Sequence, residues 1–345
     1  MKKAPVKAEI SATYCEKYPN FPTQTLARLM HSENGPLFPN LQAARKSIQF
    51  VRGANGDRDR MNATRKDLFD KEKRQPHNPF ALPKTWAHPK TVFKLPVACN
   101  NVGFISDAQV PFQDNAAIEA CYGWLKDKNV NTIFINGDWI DFYGLSNFEK
   151  DPRRREFNDE YHNILQSFEH MRHHFPTQTI YYNLDANHER RYERFMMLSA
   201  PRLLKLELPE FDLPSVLRLA LFNIIPLKNN DHYMIGKLPV VHGHTIFQGA
   251  TSPVSTARTV YMKTKQSAIA SHCHQVSEYT TKRLDGEIIT CWTNGCLMDL
   301  NVEYNPHNNN YSLGFAHITT EKDGTYRVDN KRMYKDIKTG ITKVL

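Results

Sequence analysis

At 345 residues, 40% of them hydrophobic, the chain has room for one large domain or for a large and a small one. No apolar run approaches the length of a membrane span, and six cysteines without a framework spacing exclude a disulfide-built scaffold. The net charge of +9 is uneven: residues 1–90 hold 17 Lys and Arg against 8 Asp and Glu, whereas residues 91–345 hold 28 of each sign. The cationic excess therefore marks a separate module with a polyanionic partner. No apolar stretch follows Met1-Lys2-Lys3-Ala4-Pro5, so a reducing cytoplasm is expected rather than secretion.

Ser11 is expected to cap a short helix to about Tyr18, with Tyr14 on its apolar face. Thr23 opens a second helix that stops near Glu33-Asn34-Gly35. Asn40 caps a third, with Leu41, Ala44, Ile48 and Val51 at helical spacing and Gly53 closing it. Three short helices over residues 1–75 read as a small all-α, helix-turn-helix-like module. The third helix carries Arg45, Lys46 and Arg52, followed by a cationic arm with Arg58, Arg60, Arg65, Lys66, Lys71, Lys73 and Arg74. Arg45, Lys46, Arg52, Arg58 and Arg60 are the expected DNA-phosphate contacts. The alternative is a docking or dimerisation module with a solvated basic face. Five prolines in residues 76–100 make that stretch an extended linker, with Trp86 and Phe93 packing part of it.

Residues 101–345 alternate strand and helix patterns. Asn101 to Ser106 is an apolar strand ending in Asp107-Ala108-Gln109, and Asp114 caps a helix through Trp124 and Leu125. Asn131 to Ile135 is a second strand, ending in Gly137-Asp138-Trp139-Ile140-Asp141. An insertion follows, with Arg153-Arg154-Arg155 and a helix from about Asn158; His162, His170, His173 and His174 on or beside it read as surface histidines. Thr179 to Leu184 leads into Asp185-Ala186-Asn187-His188-Glu189-Arg190, which opens another helix. Pro201 to Ile225 is leucine-rich and helical in pattern, a cap over the loops. Leu238 to Val241 ends in His242-Gly243-His244, Thr256 to Ala270 reads as a helix delivering His272, and Ser271-His272-Cys273-His274 precedes Val276 to Thr281, which alternates like a strand. The tail from Glu287 to Val328 alternates as strands that close a second sheet. Five strand-end loops thus each present carboxylate, amide or imidazole groups, a donor mix that suits two divalent cations sharing one carboxylate.

The ordered set Asp-x-Gln, Gly-Asp-x-x-Asp, Asn-His-Glu, His-Gly-His and His-x-His resembles the calcineurin-like metallophosphoesterase superfamily, over roughly Val102 to the end of the chain. The resemblance implies a four-layer α/β/β/α sandwich with metals at the strand ends. It implies one cation held by Asp107, Gln109, Asp138 and His274, and another by Asp138, Asn187, His242 and His272. His188 would be the acid or charge stabiliser at the leaving oxygen, oriented by Asp141. Ala186 and Ser271 stand where the family usually has glycine, and Gln109 where it usually has histidine. A neutral, hard amide oxygen there tilts the site away from zinc and towards manganese or magnesium; manganese is the expected ion, with magnesium, zinc or iron as alternatives. The N-terminal segment is similar to segments fused to bacteriophage-encoded phosphoesterases, which would place the protein in a host cytoplasm.

The expected activity is metal-dependent hydrolysis of a phosphoester, with DNA as substrate and partner and with Arg190 and His244 on the substrate phosphate. Arg190 or Arg194 could instead pair with Glu189 or Glu193. Other readings are a nucleotide or pyrophosphate hydrolase, a protein phosphatase, or a DNA-binding protein whose sandwich is only a scaffold. Cys273, between two expected ligands, reads as structural because strand alternation turns it away.

Overall fold

The computed structural model describes residues 6–63, 65–69, 85–87, 89–146, 156–206, 208–248, 254–302, 309–336 and 339–345. Its contacts divide the chain into two compact units, Met1–His88 and Pro89–Leu345. The expected arm residues Lys71, Lys73 and Arg74, the prolines Pro76, Pro79 and Pro83, and Arg153-Arg154-Arg155 lie outside the described residues.

The first unit holds α1 (Val6–Lys17), α2 (Thr23–Glu33), α3 (Leu41–Val51) and α4 (Asp57–Asn62). Leu26, Ala27, Met30, Phe38, Ala44, Ile48 and Val51 close a small core with Ala12 and Cys15. Asn40 caps α3 by accepting from Ala43 N at 2.9 Å, as its position predicts. Ser11 does not cap α1: it is buried in mid-helix, its hydroxyl donating to the Lys7 carbonyl at 2.8 Å and facing Ser47 Oγ at 2.7 Å. A serine bonded to the preceding turn stays compatible with helix, which is why the helix starts earlier than its hydroxyl implied. Two expected DNA contacts change character. Arg52 is buried, with its guanidinium on Thr23 Oγ1 at 3.1 Å, so it cannot reach a phosphate. Arg60 lies in α4 rather than in an extended arm, and it donates to the Gly53 carbonyl at 2.7 Å. Arg58 shares that helix and is exposed, as are Arg45 and Lys46. Arg65 is tied to Glu16 and Asp67.

The second unit runs β1 (Val92–Lys94), β2 (Asn101–Ile105), α5 (Asn115–Asp127), β3 (Thr132–Ile135), α6 (Phe157–His174), β4 (Thr179–Asn183) and α7 (Glu189–Ser199). It continues with α8 (Pro201–Leu204), α9 (Leu213–Val216), β5 (Ile224–Leu227), β6 (His232–Ile235), β7 (Leu238–Val241) and α10 (Thr256–Thr264). It closes with β8 (Ala268–Ala270), β9 (Ser277–Lys282), β10 (Ile288–Thr293), β11 (Gly314–Thr320), β12 (Tyr326–Lys335) and β13 (Thr342–Val344). Two mixed sheets result. One has the order β13-β12-β11-β2-β3-β4-β5, parallel from β2 to β5; the other has the order β1-β6-β7-β8-β10-β9. The β1 strand, inside the expected linker, pairs with β6.

Val102, Phe104, Phe134, Tyr181, Tyr233, Val240, Ile269 and Ile318 are buried between the sheets. Ile118, Tyr122 and Leu125 of α5 and Ile164, Phe168 and Met171 of α6 cover the outer face of the seven-stranded sheet. Val260 of α10 packs on Ala268, Ala270, Ile289 and Cys291 of the other sheet. The parallel strands are apolar throughout because both their faces are covered. No helix among the described residues is long and apolar enough to cross a membrane.

Two expected helices are corrected. Pro201 to Ile225 breaks into α8, α9 and short 3-10 turns, because Pro209 and Pro214 remove backbone donors and Arg218 and Asn223 adopt left-handed conformations. Thr256 to Ala270 is helical only to Thr264; Lys265, with φ 57°, ends it, and Ala268–Ala270 becomes a strand between β7 and β10.

Candidate metal centre

The parallel strands β2, β3 and β4 end at one rim, where ligand sites of open α/β sheets lie, and the carboxyl end of β7, in the other sheet, meets them there through His242. The loops there are held in unusual backbone. Asp107 (φ 54°), Gln109 (φ 48°), Asp138 (φ 48°), His272 (φ 72°) and His274 (φ 56°) are all left-handed without being glycine. Such strain persists only where surrounding structure enforces it, and it gathers at functional sites. Gly137 (φ 93°) makes the turn before Asp138 possible, and a side chain there would run into Ala186.

The seven expected ligands come together. Asp138 Oδ2 lies 3.1 Å from His242 Nε2, 3.7 Å from His272 Nδ1 and 3.7 Å from His188 Nε2. Asn187 Oδ1 is 3.1 Å from His242 Nε2. Asp107 Oδ1 is 3.2 Å from His274 Nε2, and Asp107 Oδ2 accepts from His272 N at 3.2 Å. The amide end of Gln109 lies 3.3 Å from His274 Nε2 and 3.4 Å from His188 Nε2; a half-turn of the amide exchanges its nitrogen and oxygen.

Asp107 and Asp138 are fully buried, yet Asp107 Oδ1 and Asp138 Oδ2 accept no hydrogen bond, and His272 Nδ1 and His274 Nδ1 make none. Buried carboxylate oxygens are normally paired, so these atoms are aimed at something. The electrostatics agree. Burial works against ionisation of Asp138, but His188 and His242 outweigh it and hold the carboxyl well below the usual range. Burial likewise disfavours charge on His242, yet Asp138 and Asp107 push it up to about 9. Two buried carboxylates demand positive charge at this spot, a demand that protonated imidazoles or a bound cation can meet. Asp138, His242 and His272 together can hold a metal ion.

His188 stands at the edge of this cluster. Its Nδ1 is 2.9 Å from Asp141 Oδ1, and its backbone N–H donates to Asp138 Oδ1 at 3.0 Å. Arg191 was not anticipated: its Nη1 donates to Asp141 Oδ1 at 3.1 Å and its Nη2 lies 3.2 Å from His188 Nε2. A guanidinium only donates, so in this arrangement Nε2 accepts and the ring proton sits on Nδ1. Burial opposes charge on His188, but Asp138 and Asp141 raise its pKa, and protonation of Nε2 would displace Arg191.

Glu189, one of the two alternative partners for the arginines, is instead buried beneath the loop. Its carboxylate accepts from Asp138 N and Trp139 N at 3.0 Å each and from Tyr182 OH at 2.6 Å, and burial pushes it up to about 7. Glu193 pairs with Lys228 at 3.3 Å. Arg190, Arg191 and Arg194 line a pocket of about 680 Å³ together with Asn187, His244, Leu145 and Met197. His244 Nδ1 is buried without a partner, and burial with His242 nearby lowers its pKa to about 4. Cys273 Sγ leans on the Gln275 carbonyl at 3.9 Å, and burial raises it to about 11, so it stays a thiol.

A buried polar chain that the sequence did not announce ties the loops together. Asn183 donates to Asn136, Asn136 to Ser271 Oγ at 2.7 Å, Ser271 to Asn294 Oδ1 at 2.8 Å, and Asn294 to Ser106 Oγ at 2.8 Å. Ser106 then donates to Asp107 Oδ2 at 2.5 Å. Ser271, read only as a glycine replacement, is a link in that chain. On α6, His170 and His174 are not simply surface histidines: both face Glu119 of α5, at 2.8 and 3.7 Å.

No protein-family model matches the chain, and no curated protein matches it in sequence. Among solved structures, Vps29 of Chaetomium thermophilum is similar at 11% identity and a TM-score of 0.33, over 71% of this chain and 93% of that one. A likeness that slight supports no reading of the site.

Proposed function

We propose that the chain is a phosphoester hydrolase dependent on two divalent cations and directed at DNA. Its second unit would be a four-layer metallophosphoesterase sandwich, and its first a helix-turn-helix-like DNA-binding module. One observation carries this reading: Asp138 Oδ2, buried and without a hydrogen bond, faces the ring nitrogens of three histidines within 3.7 Å. The donor set of two carboxylates, two amides and three imidazoles fits a pair of cations, with Asp107, Gln109, Asp138 and His274 on one and Asp138, Asn187, His242 and His272 on the other. Hard oxygen donors on the first favour manganese. Bound there, the cations supply an activated water and neutralise charge on the phosphoryl oxygens.

The remaining work falls to side chains of the chain itself. Arg190 and His244 face the pocket beside the cluster and would hold the phosphate. Asp141 fixes the His188 ring through Nδ1, so that Nε2 addresses the leaving oxygen. Once Nε2 is protonated, Arg191 would leave it while keeping its bond to Asp141, and would be a second donor for that oxygen. General-acid assistance of this kind is worth roughly 10²–10⁴-fold. DNA as substrate is supported by the cationic excess of residues 1–90 and by the exposed Arg45, Lys46 and Arg58.

A second reading, a nucleotide or pyrophosphate hydrolase, is favoured by the arginine-lined pocket, whose volume of about 680 Å³ suits a small ligand. The test is a panel of single- and double-stranded DNA and small nucleotides, run with Mn²⁺, Mg²⁺ and Zn²⁺ on wild type and Asp138→Asn. DNA cleavage that requires Mn²⁺ and falls in Asp138→Asn by more than the roughly 10–100-fold typical of outer ligands supports the proposal. Turnover of nucleotides alone transfers it to the second reading. Metal-independent DNA binding without turnover of any ester leaves the sandwich a scaffold.

A further inference from the structure

We infer that the chain carries a second, separate transition-metal site on its outer helical layer, formed by Glu119, His170 and His174. His170 and His174 are one turn apart on α6 and project from the same face. Glu119 reaches them from the neighbouring helix α5. Its Oε1 is 2.8 Å from His170 Nε2 and its Oε2 is 3.7 Å from His174 Nε2; one donor atom from each residue lies within 4.8 Å of the others. Ligands about 2.0–2.1 Å from a tetrahedral zinc ion stand about 3.3 Å apart, between those two separations. A cation therefore shifts each carboxylate–imidazole separation by about half an ångström or less, and draws together two imidazole donors that start within 4.8 Å of each other.

An ordinary ion pair accounts for less of this arrangement. The carboxylate pairs closely with His170 alone, while neither ring nitrogen of His174 is hydrogen-bonded among the described residues, and its Nδ1 is buried without a partner. The two imidazoles lie 4.5 Å apart, ring to ring, a crowding that two protonated rings would resist and a shared cation would favour. Tyr122, buried behind them, packs on both rings at 5.8 and 5.4 Å and keeps them on one side of the helix. Glu119 is exposed and His170 and His174 are partly so, which leaves the site open to an ion from solution and to water as a further ligand.

Two imidazoles and one carboxylate select zinc, or cobalt and nickel in its place, over magnesium or calcium. An ion held there joins α5 to α6 across the outer face of the seven-stranded sheet. Because it binds only where the two helices are docked, it stabilises the folded chain in proportion to its free concentration. The site shares no residue with the cluster around Asp138.

The experiment uses the full-length chain with Asp138→Asn and His242→Ala, which disables the first centre. Co²⁺ is titrated by its visible absorption, and the melting temperature is followed with and without Zn²⁺. The expected result is one equivalent of Co²⁺ and a Zn²⁺-dependent rise in melting temperature. Adding His170→Ala with His174→Ala abolishes both, and the exposed single change Glu119→Gln weakens Co²⁺ binding by roughly tenfold or more while leaving the metal-free melting temperature unchanged. Co²⁺ binding and a Zn²⁺ response that are absent at the outset, or that survive both sets of changes, would overturn the inference. Neither outcome depends on whether the first centre hydrolyses anything.

Discussion

A left-handed backbone at a residue bearing a Cβ costs about 1–2 kcal/mol, and Asp107, Gln109, Asp138, His272 and His274 all bear it. His272 is the best place to measure that strain, since its side chain is partly exposed and its Nδ1 has no partner. His272→Gly and His272→Ala remove the same imidazole and keep the backbone bond to Asp107, but only glycine relieves the conformation. Glycine's extra freedom in the unfolded chain takes back about 0.5–1 kcal/mol, so the Gly variant should be the more stable by about 0.5–1 kcal/mol in urea unfolding with chelator present. Equal stabilities would show that the loop relaxes once the side chain is gone. A second residue-level prediction concerns His317, which lies away from the centre with its Nε2 2.7 Å from Asn101 Oδ1 and its ring against Trp124. Burial lowers its pKa, helped by Lys128, Lys331 and Arg327 and opposed by Asp329. A depressed imidazole contributes stability that is present above the unfolded value of about 6.5 and is lost as pH falls through the folded one. Wild type should therefore lose melting temperature more steeply than His317→Gln as pH drops from about 7 to about 5; parallel curves would refute the assignment.

At the scale of elements, what the sequence disclosed follows from what each residue has to satisfy locally. The strands β2, β3, β4 and β7 were legible because short apolar runs ended in Asp, Asn or Gly-containing loops, and Asp114 and Asn40 cap where their side chains must. The far end of α10 was not legible: no Gly or Pro separates Thr264 from Ala268, and a three-residue buried strand has no period of its own. Glu119 escaped notice beside His170 and His174 because it stands 51 positions from the nearer of them, and only helix packing brings them together. The chain from Asn183 through Asn136, Ser271 and Asn294 to Ser106 was invisible for the same reason. Asparagine and serine at strand ends read as turn residues until both sheets close and their amides and hydroxyls meet. Because that chain ends on Asp107, Asn294→Ala should leave the Ser271 and Ser106 hydroxyls each short of a partner and loosen the carboxylate. The expected effect is a loss of roughly 10–100-fold in Mn²⁺ affinity by spin-resonance titration, with circular dichroism unchanged. Unaltered affinity would reduce the chain to a fold-holding role.

For the whole molecule, the decisive quantity is how the cationic excess of residues 1–90 is spent. Composition puts 17 Lys and Arg in that segment, but Arg52 is buried and Arg60 and Arg65 are engaged within the unit. Arg45, Lys46 and Arg58 are exposed on it, and each phosphate they neutralise should contribute about 0.9 to the slope of log affinity against log salt for duplex DNA. Replacing all three with glutamine should therefore lower that slope by about 2.7 and weaken binding most at low salt. The change shares no residue with the candidate metal centre, so under the proposed function hydrolysis of a small phosphodiester should proceed at the wild-type rate while DNA cleavage at moderate salt declines. If the slope stays where it was and both substrates are cleaved as before, the basic unit is not the DNA-binding element. Specificity would then have to come from Arg190, Arg191 and Arg194 around the pocket, which is what a nucleotide hydrolase needs.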